Sequence, residues 1–281
     1  MSRYFFILLL LYSFTASAQS LSASSELELE LYAFRVKNIE DFIKRFNNDS
    51  NSSVMTELKA KNKDLIVSRN KMLFSTFNFE NNELISDSTT RMFFNYVVDT
   101  VTPHYIRFRD SGWYAEALGL FTYKSDTIEL PIVLRVKTKG RAETWMIAGI
   151  GDHPLLNERG AMQEGGQPAS GKLTAIPPTN ESVNFLELKK VFNASLIEDY
   201  YFDGDLLQTD KAKQFVGLIK SAQLKLQYVS GIKFHFYQIP GWVFTVEEFN
   251  RLMKNSGWLI SNVRRADDSE KKQLIQDLLH R

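Results

Sequence analysis

The chain contains no cysteine. That absence excludes disulfides, zinc–thiolate and iron–sulfur centres, a thiol nucleophile and a lipid-anchored cysteine. An excess of charge of one sign is also missing, since 34 Lys and Arg face 33 Asp and Glu over 281 residues. A binder of phosphate backbones carries a basic excess or stripe, so nucleic acid is not an expected partner. The densest basic groups, Lys59 to Lys63 and Arg264-Arg265, are diluted by nearby acids and read as solvated faces. Histidine is scarce. His104, His153, His235 and His280 are each more than forty residues from the next, so no local zinc motif exists, and neither metal nor cofactor is expected. G-x-S-x-G, Walker and G-x-G-x-x-G motifs are absent, and Gly149-Ile150-Gly151-Asp152 lacks the continuation a phosphate loop needs.

Long hydrophobic runs are confined to the start of the chain. Arg3 is the only charge before Glu26, Tyr4 to Tyr12 is unbroken apolar and aromatic, and Ala16-Ser17-Ala18 supplies small residues. A positive start, a short greasy middle and an A-x-A end predict a secretory signal peptide over residues 1–18, too short to span a bilayer. Without it the charges balance, and the expectation is an exported protein, periplasmic or extracellular, with no membrane span. What the chain has in quantity is core: 44% hydrophobic residues, with 21 Phe, 11 Tyr and 4 Trp. Each buried ring removes about 150–250 Å² from water, which excludes a disordered chain.

Residues 151–181 hold five of the fourteen Gly and four of the seven Pro and read as a linker between two domains. The first, 26–150, opens with an amphipathic helix (Ile39, Phe42, Ile43, Phe46) whose stripe extends back to Leu31. Helices follow over Asp64–Phe74 and from the Asp87/Ser88 cap, with Met92, Phe93, Val97 and Val98 inward. Strands are expected at His104–Arg109, Trp113–Lys124, Thr127–Thr138 and Ala142–Ile150. Ile128, Leu130, Ile132, Leu134 and Val136 alternate onto one face. The second domain, 182–265, repeats that order in shorter form. A helix is capped by Asn180 or Ser182, another starts at Thr209-Asp210, and strands span Gln223–Ser230, Ile232–Ile239, Trp242–Asn250 and Gly257–Arg264. A polar helix, Asp268–Leu279, closes the chain within the terminal segment 266–281. The fold class is α+β, as two cone-like modules, each with N-terminal helices on a curved antiparallel sheet. Asn38 to Asn47 aligns with Asn184 to Asn193, and Trp145 to Ile150 with Trp258 to Val263, which reads as a divergent tandem duplication.

The Phe-x-x-x-Phe-Asn helix (Phe42 to Asn47), the Trp-x-Ile strand and the order of elements resemble the nuclear transport factor 2-like superfamily, over about 120 residues of the first half and about 85 of the second. The resemblance implies a sheet wrapped around helices with a pocket at the open end, in a group holding isomerases, dehydratases and many non-catalytic modules. The second half is short for that pattern.

Residues that could carry chemistry are few. Tyr114 and Glu116, beside His104 and Arg107, would supply a carboxylate base of raised pKa if they faced a cone interior; solvent-facing alternation explains them as well. In Lys233-Phe234-His235-Phe236-Tyr237, alternation places Lys233, His235 and Tyr237 on one face, where the His–Tyr pair could hold a polar ligand or serve as half-buried sheet partners. Trp113 and Trp242, each after a Gly at a strand start, fit either a binding surface or core packing over a tight entry. Asp152-His153-Pro154 reads as a turn. Asp87-Ser88-Thr89, Asp99-Thr100-Val101 and Asp126-Thr127-Ile128 fit a short bacterial O-glycosylation pattern. The expected function is an exported, non-enzymatic binding or scaffold protein of the bacterial envelope, its partner a protein, glycan or small ligand. The alternative is a metal-free lyase or isomerase using a carboxylate with Tyr or His in the first-domain pocket.

Overall fold

The structure, a computed structural model, describes residues 30–139, 142–157, 188–192, 201–252 and 254–280. The signal segment 1–18, linker residues 158–181 and the Asn180/Ser182 cap lie outside the described residues. Among the described residues no helix is long and apolar enough to cross a membrane.

The helical layer comes first: α1 (Ile39–Phe46), α2 (Ser53–Lys61), α3 (Arg69–Phe74), α4 (Asn82–Ser86) and α5 (Ser88–Val97). The Asn38 side chain caps α1 by accepting from the Asp41 amide at 2.8 Å, and acids in the first turn with bases in the last complement the helix dipole. Asp87 caps α5 through the amides of Thr89 and Thr90. Phe93 and Val97 turn inward as expected, whereas Met92 is exposed. The stripe back to Leu31 does not continue α1. A helical turn at residues 30–33 gives way to a strap in which Val36 bridges Gly257 in parallel.

Asp41 and Arg45 hold this strap from inside. Both are buried. The Arg45 guanidinium donates to Asp41 Oδ2 at 3.1 Å and to the carbonyls of Phe34 and Arg35 at 3.0 and 2.7 Å. Asp41 Oδ1 accepts from the Ser53 amide at 2.9 Å, tying in the start of α2.

Strands β1 (Trp113–Tyr123), β2 (Asp126–Lys139) and β3 (Ala142–Ile150) form an antiparallel meander. After the short α6 (Pro154–Asn157) and α7 (Asp210–Lys220), a second meander follows: β4 (Leu224–Phe236), β5 (Trp242–Phe249) and β6 (Gly257–Arg265). The helix α8 (Asp268–Leu279) starts at a capping box of Asp267 and Glu270. His104–Arg109 forms no strand.

The two meanders are one sheet, ordered β3-β2-β1-β4-β5-β6. This corrects the expectation of two separate cones. Ser230-Gly231, which reads as a break between two strands, is a kink inside a single β4. That strand pairs with β1 from Trp113↔Phe236 to Tyr123↔Leu224, with register shifts at Leu118/Gly119 and Leu120/Phe121 absorbing the irregularity. The core is shared for the same reason. Phe46 of α1 stacks on Phe244 of β5 (5.4 Å, 6°), Phe244 on Phe236 of β4 (4.8 Å, 5°), and Trp113 on Phe236 (5.5 Å, 7°). Each such pair adds about 0.5–1.5 kcal/mol beyond area burial, so the stabilisation crosses the halves.

Both outer edges of the sheet are capped over part of their length. Along β6, Trp258 donates to the Val36 carbonyl and Ile260 to that of Thr76; along β3, Ile147 donates to the Tyr201 carbonyl. Edge groups paired this way cannot recruit another chain.

Candidate functional site on the outer sheet face

Strand alternation sorts the central residues onto two faces. Trp113, Ala115 and Ala117 of β1 and Phe234 and Phe236 of β4 enter the helix-covered core. Tyr114 and Glu116, Lys233 and His235 therefore take the opposite, outer face. The register sets Tyr114 against His235 and Glu116 against Lys233, and on the far side Lys233 against Glu247 and His235 against Thr245.

A polar cluster results. His235 Nε2 lies 2.8 Å from Glu116 Oε2, with both side chains only 12–13% exposed. Lys233 Nζ reaches Glu247 Oε2 at 3.7 Å, and Ser261 Oγ donates to Glu247 Oε1 at 2.9 Å. Beside them Arg135 hydrogen-bonds Tyr114 and pairs with Asp203, which Lys137 also approaches at 3.4 Å.

The end of this face nearer Tyr114 is roofed by α8. Tyr114, Val133, Tyr237, Val243, Ala266 and Leu278 form a small apolar cluster. Gly149 permits the approach, because a Cβ there would sit 2.7 Å from the Leu279 carbonyl oxygen. The Lys271 ammonium is buried and anchors the helix by donating to the carbonyls of Tyr237 (2.9 Å) and Ile239 (2.5 Å); burial pulls its pKa below the ordinary value.

Burial also pushes the Tyr114 phenol above its ordinary 10.0, with the Arg135 cation and its hydrogen bond opposing. Tyr114 is therefore a neutral phenol at physiological pH. The folded state keeps this proton longer than the unfolded chain, so the associated stability is full below the ordinary value and is lost as pH rises through the folded-state value. Urea midpoints measured between about pH 9 and 11 should fall more steeply for the native chain than for Tyr114→Phe.

The structure joins some of the residues singled out in the sequence and separates others. Glu116 and His235, 119 residues apart, meet directly. His235 and Tyr237 line one groove of about 300 Å³ with Thr245, Asn262, Arg264 and Asp277. Tyr114 and Glu116 do not face a cone interior, since that space is filled by aromatic rings. His104 joins neither of them; its ring stacks on Tyr96 of α5 (4.1 Å, 15°). Trp113 is no binding surface: it is 2% exposed, and its indole N–H donates to the Phe108 carbonyl at 3.0 Å. Trp242 is 4% exposed, wedged against Phe93 with the Arg265 guanidinium 5.2 Å from its ring. Both follow a glycine of positive φ, the tight entry that turns the indole inward. The residues that sequence reasoning missed are Glu247 and Ser261. Alternation could have placed each on a face, but only the strand register brings them together.

Comparison with protein families, with curated proteins and with solved structures finds no match for this chain.

Proposed function

We propose that this chain is an exported, non-enzymatic binding module of the bacterial envelope that engages a partner through the outer face of its sheet. One observation carries the reading. The space between helices and sheet, where a cone-shaped fold would hold substrate, is occupied by Phe42, Phe46, Phe93, Phe236 and Phe244, while the polar side chains lie on the other face. The signal-like residues 1–18 support export. A relation to the nuclear transport factor 2-like superfamily is part of the same proposal, supported by helices that precede long antiparallel strands and by the inward Trp145 of β3.

A second reading, a lyase or isomerase, is favoured by the Glu116–His235 pair alone, because a carboxylate that orients an imidazole is the geometry of a general base. Cross-linking of the mature protein in envelope extract, followed by mass spectrometry, separates the two. The expected result is one reproducible partner linked through Lys225 or Lys233 on β4. Turnover of carbonyl compounds by the purified protein that is lost in Glu116→Gln, with no partner captured, would replace the binding reading by the catalytic one.

A further inference from the structure

Among the described residues, the sheet caps part of each outer edge and leaves an inner one open. β4 has thirteen residues, but β5 pairs with only Lys233–Phe236 of it. From there β5 follows β6, while the two bulges opposite β1 carry the first part of β4 away. Of the nine residues 224–232, all but the bulged Gln227 and Ser230 are thus paired with β1 on one side, and among the described residues the segment pairs with nothing on the other. At about 3.3 Å per residue, this is an edge of roughly 30 Å carrying free backbone donors and acceptors. Lys225, Gln227, Ser230 and Gly231 along it are exposed, and the Tyr228 ring is 53% exposed.

Where β4 and β5 part, they enclose a cleft of about 470 Å³. Its two sides differ. Val229 and Ile232 are only partly buried and pack against the aromatic core, with Trp258 beside them. Glu116, Glu247 and Glu248 supply three carboxylates, Glu116 beside His235, Glu247 beside Lys233, and Glu248 beside Arg35 at the rim. A strand laid along β4 would present its side chains alternately to these two environments.

We propose that the open edge of β4 docks an extended segment of another protein in which apolar residues alternate with lysine or arginine. Backbone pairing supplies the affinity; the apolar side and the carboxylates supply register and choice of partner. The inference rests on the binding-module reading and gives that module its partner chemistry. Lys225 on the same edge disfavours indiscriminate self-pairing, which fits a selective site better than an aggregating one.

The test uses the full mature chain and a fluorescein-labelled heptapeptide of alternating valine and lysine, read by fluorescence anisotropy. Saturable binding is expected, weaker by roughly tenfold or more when glutamate replaces lysine or when every second peptide nitrogen is methylated. Glu248→Lys removes only an exposed ion pair, so it should fold normally, weaken the lysine peptide and favour the glutamate one. Amide hydrogen exchange should slow within residues 225–232 when the peptide is added. No binding of the lysine peptide, binding indifferent to N-methylation, or protection confined to another surface would each overturn the proposal. If cross-linking still returns a partner in that event, the β4 assignment alone falls; if turnover replaces the partner, the binding reading falls whatever the peptide does.

Discussion

Gly257→Ala is expected to cost at least about 3 kcal/mol and to leave little folded protein. Gly257 has φ of +91°, a region where a side chain is strained in any setting, and an added Cβ would lie 2.0 Å from the Val36 carbonyl oxygen. The obstacle is backbone, and it belongs to the strap that closes the β6 edge, so moving it breaks the bonds Trp258 and Val36 make across that edge. Gly217 is the control. It is exposed within α7 with open space where a methyl group would go, and Gly217→Ala should raise stability by about 0.5–1 kcal/mol through helix propensity. Urea denaturation followed by far-ultraviolet circular dichroism gives both numbers.

The second large effect is Asp41→Ala, expected to destabilise by about 3–5 kcal/mol. Removing the carboxylate leaves the buried Arg45 guanidinium hydrogen-bonded to two carbonyls and a distant hydroxyl, with the Glu57 charge acting on it only without a hydrogen bond. Burial draws the Arg45 pKa below its ordinary value, and Asp41, with Glu57 adding a smaller attraction, opposes that shift. The Ser53 amide loses its acceptor as well. Asp41→Ala combined with Arg45→Met should recover part of the loss, because the uncompensated charge is then gone. The coupling is read from urea midpoints of the two single variants and the double one. Equal midpoints for the double variant and Asp41→Ala would show that the strap, not the charge, sets the cost.

Local signals were readable where the physics is local. Asp87 before Ser88-Thr89-Thr90 caps its helix as expected, the bounds Ala142–Ile150 and Asp268–Leu279 hold, and Leu130, Ile132 and Leu134 enter the core at period two. The helix Ser53–Lys61 was not legible, since only Val54, Met55 and Leu58 are buried and they pack into a satellite cluster with Leu31 and Met72. Ser230-Gly231 misled because a bulge and a turn use the same residues; only the partner strand decides which forms. The outer-face cluster was half legible. Alternation set Glu116 with Tyr114, and His235 with Lys233 and Tyr237, on shared faces but left open whether Glu116 faced inward or outward; which strands adjoin, and in what register, depends on pairing across more than a hundred residues.

The seam between β1 and β4 also bears on how the chain reaches this state. Each meander is closed by short connections, whereas Trp113 must find Phe236 across the whole intervening sequence. The entropy of closing so large a loop is spent before its contacts repay it, so the two meanders form early and their union is the slow step. Until that union, both first strands display unsatisfied edges, and this interval is when the polypeptide is most exposed to misassembly with its neighbours.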